Sequence, residues 1–263
     1  MTTKQDSAGA LFPNGAVLVF GGSGGIGGVV AREFARAGAD VAIAYRSKQA
    51  VAEKGAAEIA ALGQRASIHK TDLRDPAAVE ATVAAAAEAH GRIHTIVLGA
   101  GPVVPQVYLA EMSDSQWRDA IATEMGGCFN VLRATLPRLR AWGGGSYVHL
   151  GSAGHLRWPD KDGLSVVPKA ANEALMKGVA REEGKHGVRA NTVLVGVIDA
   201  GMFRELSAQG AFGAAWIAET QKALAIKRWG QPEEVGHAAV FLASNKAAYI
   251  TGQQIGVAGG YGL

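Results

Sequence analysis

The feature that most constrains this chain is a short apolar segment that runs directly into a cluster of glycines. The segment covers residues 16–20, and glycine then occupies five of the seven positions from 21 to 27. Glycine lets the backbone bend sharply and approach a ligand closely, and the N-terminus of a following helix offers free N–H groups and the positive end of its dipole. The pattern predicts a strand, a phosphate-binding turn and a helix that continues through 31–37.

The sequence after this turn supports the same interpretation. Gly38, Ala39 and Asp40 form a predicted stop, and a second apolar segment covers residues 41–45. Strand, glycine turn, helix and strand together make a βαβ unit of the length that dinucleotide-binding folds use. A flexible glycine linker is the alternative interpretation of the glycine cluster.

Apolar strand segments and helical segments alternate along the rest of the chain. This order predicts a single-domain α/β Rossmann fold, with a doubly wound parallel sheet of about seven strands flanked by helices. The domain is expected over residues 15–263, after a flexible N-terminus at 1–14. Further strands are predicted at 66–70, 95–98, 146–150, 189–195 and 254–257, and helices at 47–62, 76–90, 113–141 with a break at Pro137, 169–185 and 232–243.

Composition excludes several classes of function. The 26 basic and 23 acidic residues are scattered, which argues against a nucleic-acid partner. Cys128 is the only cysteine, so neither an intrachain disulfide nor a cysteine-based metal site is possible, and we expect no metal. Residues 1–14 lack the apolar core of a signal peptide, and the longest apolar stretch, 193–198, is too short to span a membrane. A cytoplasmic protein is expected.

Several short motifs give the chain a specific resemblance. From about Ala16 onward it resembles the short-chain dehydrogenase/reductase family, and is most similar to bacterial 3-oxoacyl-carrier-protein reductases and glucose dehydrogenases. The resemblance implies a nicotinamide dinucleotide, a ketone or alcohol as small-molecule substrate, and a homodimer or homotetramer with residues 124–136 at the interface. The motifs are Gly21, Gly25 and Gly27 in the glycine turn, 71–73, 99–101, 145–148 with Ser152, 169–171, 188–191, 228–235, 251–253 and 259–261.

The end of the second strand bears on the choice of cofactor. An acidic residue there would bind a ribose 2′-OH and repel a 2′-phosphate, but this chain has Arg46, Ser47 and Lys48. NADP is therefore predicted, with NAD possible; alternatively, the two cations only begin a solvated helix. By resemblance, the cofactor-binding residues are Gly21, Ser23, Gly24, Gly25, Ile26, Gly27, Arg46, Ser47, Lys48, Asp72, Leu73, Ala100, Gly101, Lys169, Gly196 and Ile198.

The predicted catalytic positions depart from the family pattern of Asn, Ser, Tyr and Lys. Ser152 and Lys169 fall in register, but Ser165 stands at the tyrosine position and Glu124 at the asparagine position. A tyrosine, with a reference pKa of about 10, can be tuned by a neighbouring lysine, whereas a serine hydroxyl cannot be brought into that range. A carboxylate at 124 is expected to pair with the Lys169 ammonium.

The loop before Lys169 offers substitutes for the missing phenol. It contains no tyrosine, but it carries His155, Asp160, Lys161 and Asp162. His155 is the preferred candidate because its reference pKa lies nearest neutrality, although an ordinary loop histidine is the alternative. Pro168 suits a first helical position, which predicts that the helix begins there and that Ser165 lies outside it.

Three functional hypotheses follow from the sequence. The first is an NADP-dependent oxidoreductase with an altered proton donor, acting on a carbonyl, an alcohol or an activated alkene. The second is a nucleotide-binding protein that has lost the redox step. The third is a non-redox enzyme that uses Ser152, Glu124 or His155 as acid or base. The segment 201–225, expected to cover the substrate, offers only scattered aromatic residues.

Overall fold

The computed structural model describes residues 10–263. The segment 1–9, most of the predicted flexible N-terminus, lies outside the described residues. Phe12 is buried, and its ring lies 5.6 Å from that of Phe34 and 5.4 Å from that of His94. The last residues before the first strand therefore pack on the domain.

A seven-stranded parallel sheet forms the centre of the molecule, as predicted. The strand order is β3-β2-β1-β4-β5-β6-β7, so the direction of winding reverses between β1 and β4. In such sheets, ligands bind in the crevice at the carboxyl ends of the strands where the order reverses. The strands are β1 Ala16–Phe20, β2 Asp40–Tyr45, β3 Ala66–Lys70, β4 Ile93–Leu98, β5 Gly145–Ser152, β6 Val188–Val195 and β7 Gln254–Val257.

Helices cover both faces of the sheet. Helices α1, α2 and α9 share one hydrophobic core with the sheet, and α3, α5 and α6 share the other. No helix within residues 10–263 is long and apolar enough to cross a membrane. The helices are α1 Gly25–Arg36, α2 Gln49–Ala61, α3 Pro76–His90, α4 Asp114–Ile121, α5 Gly127–Ala141, α6 Gly163–Glu183, α7 Gly201–Ala208, α8 Ala214–Ala223 and α9 Pro232–Ala243.

Strand β1 shows why its sequence is apolar throughout. Val17 and Val19 belong to the core under α1 and α9, whereas Leu18 and Phe20 belong to the core on the opposite face. Because successive side chains point to opposite faces, both sets of side chains of this central strand are buried between two helical layers. The apolar run thus fixes β1 in the middle of the sheet.

The predicted helix start at Pro168 is wrong. Helix α6 begins at Gly163, so Ser165 lies in its first turn and Pro168 lies inside the helix. An interior proline costs about 3 kcal/mol or more. Here Leu164, Val166 and Pro168 itself are buried, and this burial of apolar surface offsets the lost hydrogen bond.

The predicted long helix after Ser113 is interrupted elsewhere than expected. Ser113 and Gln116 form the predicted capping box, but Pro137 lies within a continuous α5. The irregularity is a π-helical turn, Ala122–Gly126, which contains Glu124. Such turns often mark functional sites because they redirect one side chain out of the helical register.

Candidate active site

One cleft at the carboxyl ends of the strands collects the predicted cofactor residues. Its volume is about 920 Å³, which is large for a ligand site. All sixteen predicted cofactor-binding residues line it, together with Ser152 and Ser165. Of the predicted catalytic residues, Glu124 and His155 are not among the lining residues. The cleft therefore joins the glycine turn to the start of α6.

The glycine turn is closely packed against neighbouring backbone. Gly21 has φ +84°, and a Cβ atom there would lie 2.6 Å from the Gly99 carbonyl oxygen. A Cβ atom on Gly27 would overlap the Gly21 carbonyl oxygen, and one on Gly25 would overlap Gly201. Gly24 precedes α1 without a capping side chain, so the first N–H groups of the helix face the cleft uncapped. This is a cradle that a pyrophosphate fits.

Basic residues surround the cleft beyond the end of β2. Arg46, Ser47 and Lys48 line it, and Lys48 Nζ lies 3.0 Å from Oε1 of Glu205 on α7. Asp72 is paired with Arg74 at 2.6 Å, and this hydrogen-bonded cation lowers the pKa of the Asp72 carboxyl to about 2. Within residues 10–263, Arg46 forms no ion pair or side-chain hydrogen bond.

Lys169 and Glu124 meet at the other end of the cleft. Lys169 Nζ donates a hydrogen bond of 2.5 Å to Glu124 Oε1, so the two side chains pair as expected from the sequence. A Cβ atom on Gly101 would overlap the Glu124 carboxylate. The pair therefore lies directly against the loop that follows β4. Asn172 fixes the π turn by donating to the Glu124 carbonyl oxygen at 3.2 Å.

His155 does not contribute a group to the cleft. Its Nδ1 lies 3.2 Å from Oε2 of Glu173, on the inner side of α6. Gln254 also donates to that carboxylate oxygen at 2.9 Å, and burial raises the pKa of the Glu173 carboxyl. Ser152, in contrast, lines the cleft, and its hydroxyl oxygen accepts a hydrogen bond from the Gly154 N–H at 3.0 Å.

One wall of the cleft is aromatic. Phe203, Phe212 and Trp216 line the cleft, and the rings of Phe212 and Trp216 stack with centroids 4.1 Å apart. Trp229 packs behind them, 5.4 Å from Phe203. The wall rests on α7 and α8, which the sequence analysis did not assign as helices. It gives the cleft an apolar side suited to a partly apolar ligand.

Asp162 and Gln106 are polar residues of the cleft; the sequence offers Asp162 as a possible substitute for the phenol but does not point to Gln106. Gln106 Nε2 donates to Asp162 Oδ1 at 3.1 Å, and both residues line the cleft beside Ser165. Asp162 stands three residues before Ser165 in the loop that offers these substitutes. Gln106 comes from a loop without regular structure, and its sequence carries no comparable pattern.

Comparisons with known proteins identify the family. Residues 21–262 match the family model described as enoyl-(acyl carrier protein) reductase. The chain is 36% identical over 250 residues to an L-rhamnose 1-dehydrogenase (NAD(P)(+)) of Sphingomonas sp. strain SKA58, covering 95% of this chain and 97% of the relative. It is 32% identical over 253 residues to a 3-oxoacyl-(acyl-carrier-protein) reductase of Chlamydia muridarum, covering 95% and 98%.

A solved structure gives the same result. A short-chain type dehydrogenase/reductase from Mycobacterium ulcerans superposes with a TM-score of 0.89 at 29% identity, covering 95% of this chain and 90% of the other. The chain belongs to the short-chain dehydrogenase/reductase family. Its similar relatives are named as oxidoreductases and dehydrogenases, in agreement with the resemblance found in the sequence.

Proposed function

We propose that this chain is an NADP(H)-dependent oxidoreductase that acts on a carbonyl or alcohol, or on an activated alkene, with a proton donor other than tyrosine. The supporting observation is that the glycine cradle, the basic end of β2 and Lys169 all line one cleft. A bound nicotinamide nucleotide supplies or accepts the hydride in such a reaction. The residues of this chain bind the nucleotide, orient the substrate and move the proton.

The preference for NADP rests on charge at the end of β2. Arg46 is available for a 2′-phosphate, and its planar guanidinium suits bidentate phosphate contacts. The Lys48–Glu205 pair is exposed on both sides, so its net contribution is small and a phosphate can compete for the lysine. Asp72 is paired with Arg74, which limits its repulsion of an anionic ligand.

The assignment of an unusual proton donor rests on Ser165 and Glu124. A serine at 165 is a ring shorter than tyrosine, and its hydroxyl has no acidity near neutral pH. The 2.5 Å contact with Glu124 balances the positive charge of Lys169, which would otherwise promote ionisation of a phenol. Ser152 is the proposed hydrogen-bond donor that orients the substrate oxygen.

The same ion pair supports a second candidate function. If no other group supplies the proton, the chain binds the nucleotide without turning it over. Such a protein would act through its nucleotide-dependent stability or assembly, for which the proposed contact surface is residues 124–136. We therefore treat nucleotide binding and turnover as separate questions in the test.

Two measurements on the purified protein test the proposal. Calorimetry with NADPH and NADH is expected to give tighter binding of NADPH. Loss of NADPH absorbance is then followed with aldehydes, ketones, diketones and enoyl thioesters. Binding with turnover supports the oxidoreductase, and binding without turnover across all four classes supports the second candidate. Failure to bind either nucleotide would contradict both.

A further inference from the structure

We propose that Asp162 is the proton donor of this site in reduction and the proton acceptor in oxidation. The inference rests on the proposed oxidoreductase function. It replaces His155, the candidate preferred on sequence alone, because that imidazole contacts Glu173 and is not a lining residue of the cleft.

The position of Asp162 relative to Lys169 is the first support. Asp162 immediately precedes α6, and Asp162, Ser165 and Lys169 stand at positions i, i+3 and i+7. Residues at this spacing lie along one face of a helix, and all three line the cleft. The carboxyl group therefore shares the face of α6 that carries the predicted catalytic lysine.

The direction of helical side chains is the second support. Side chains on a helix lean toward its N-terminus, so a long side chain at 165 would cover the turn before its own Cα. Asp162 lies in that turn. A carboxyl group on residue 162 thus lies in the direction that a phenol on residue 165 would take.

The carboxyl group is held in place by neighbouring loops. Gln106 donates to Oδ1 at 3.1 Å, and the adjoining backbone is tied by a Val107 N–H to Lys161 carbonyl hydrogen bond of 3.1 Å. Within residues 10–263, no side chain donates to Oδ2. One oxygen is therefore anchored while the other is left for a substrate or a proton.

The environment favours the protonated carboxyl group. Burial raises the pKa of Asp162, against smaller opposing effects of the Gln106 hydrogen bond and the Lys169 charge. The other charged or titratable groups beside it are Asp160 and Lys161 on the same loop, and Tyr261 and Arg157, which form a cation–π pair at 5.9 Å. Glu124 pairs with Lys169 at 2.5 Å, which reduces the effect of the lysine charge on the carboxyl group.

Tyr261 is the principal competitor for this role. Its ring lines the cleft near Asp162, but burial raises the pKa of its phenol. A raised pKa makes the phenol a weaker acid at neutral pH, whereas the same effect on a carboxyl group moves its pKa toward neutrality. Burial thus makes Tyr261 a poorer proton donor near neutral pH and Asp162 a better one.

The proposed step balances in atoms and charge. In reduction, the substrate carbon gains a hydride with its electron pair from the dihydronicotinamide, which becomes the oxidised nucleotide. The carbonyl oxygen takes the proton of the Asp162 carboxyl group and becomes an alcohol. The resulting carboxylate regains a proton from solvent at the open mouth of the cleft. Oxidation runs the same step in reverse.

Kinetics of matched variants test the assignment. Asp162→Asn keeps the shape of the side chain and removes its acidity, so kcat for reduction is expected to fall by about 10²–10⁴-fold while NADPH affinity by calorimetry stays within about twofold. Asp162→Glu should recover part of the loss. Asp114→Asn, which changes an exposed carboxyl group on α4 that does not line the cleft, serves as the matched control and should keep the parent's pH profile.

A spectroscopic titration tests whether the Asp162 carboxyl group is protonated, without the need for a substrate. Difference infrared spectra of the parent against Asp162→Asn should show a protonated carboxyl band that disappears as the pH rises. Glu124→Gln should move that midpoint to lower pH, because unbalanced Lys169 then stabilises the carboxylate. A midpoint at the ordinary aspartate value, or one that is unchanged by Glu124→Gln, would overturn the proposal.

The outcomes separate this inference from the proposed function. An active parent whose kcat and pH profile are unaffected by Asp162→Asn overturns the role of Asp162 and leaves the oxidoreductase standing. If Tyr261→Phe or His155→Gln loses activity while Asp162→Asn stays active, the role of Asp162 is also overturned. The residue whose variant loses activity is then identified as the donor. A parent that binds NADPH but reduces none of the substrate classes contradicts the oxidoreductase, and the infrared titration then still decides the protonation of Asp162.

Discussion

Lys169 Nζ donates a 2.5 Å hydrogen bond to Glu124 Oε1, and the two side chains are only 17% and 5% exposed. A pair withdrawn from water is costly to break, because the remaining partner becomes an uncompensated buried charge. The pair consequently carries almost no net charge, whereas an unpaired Lys169 ammonium would place a positive charge in the site. The proposed role of Asp162 as proton donor depends on this balance.

A first prediction uses this pair to rebuild a tyrosine-dependent site. In an Asp162→Asn background, the Ser165→Tyr and Glu124→Asn changes together should restore measurable NADPH-dependent reduction of a small activated diketone. Ser165→Tyr alone should restore less, since Lys169 stays paired and the two changes are coupled. Initial rates measure the effect, with circular dichroism as a check on folding. Equal rates for the single and combined variants would contradict the argument.

A second prediction concerns the 2′-phosphate. Arg46→Asp replaces an attraction by a repulsion, so NADPH affinity should fall at least about tenfold more than NADH affinity, a difference of about 1.4 kcal/mol. Calorimetry with both nucleotides measures the ratio. Lys54→Asp, on the exposed side of α2, makes the same change in net charge away from the cleft. Equal losses of both nucleotides in Arg46→Asp would show that Arg46 does not bind the phosphate.

A third prediction concerns Glu205, which approaches the same region from α7. Glu205→Gln removes a carboxylate that is 3.0 Å from Lys48. NADPH should then bind a few-fold more tightly at low salt, and the gain should shrink as ionic strength rises because exposed charges are screened. NADH affinity should change little. A gain for both nucleotides alike would indicate a general opening of the cleft instead.

A fourth prediction concerns the glycine turn. Gly27→Val would place side-chain atoms against the Gly21 carbonyl oxygen, so the turn must open and nucleotide binding should be lost. Gly178→Val, on α6, meets no atom within 4 Å of its Cβ position and provides the control for a valine in a helix. Binding by calorimetry that survives in a folded Gly27→Val variant would place the phosphate cradle elsewhere.

The sequence predicts the framework of the molecule better than the details of its site. The strand at Ala16–Phe20 and the helices at Pro76–His90 and Pro232–Ala243 match their predicted bounds, because apolar pattern and capping residues act locally. The start of α6 does not, since burial around Pro168 outweighs the preference of proline for a first turn. Local pattern carries no information about that burial.

The site shows the same division between local and long-range effects. The resemblance brings Lys169 and Glu124 together correctly, as the 2.5 Å contact shows. Gln106 could not be selected, because its contact with Asp162 joins residues 56 positions apart. The sequence does not predict helices α7 and α8, which are short, with eight and ten residues, and bury only Leu206 between them.

The aromatic wall gives the cleft an optical property. Trp216 lines the cleft and Trp229 lies behind it, with ring centroids 6.4 Å apart. Indole emission overlaps the absorption of a reduced nicotinamide ring, so a dihydronicotinamide bound in the cleft would accept excitation energy from nearby tryptophans. Quenched indole fluorescence and sensitised blue emission would then report occupancy of the cleft without a label, even in variants that no longer turn over.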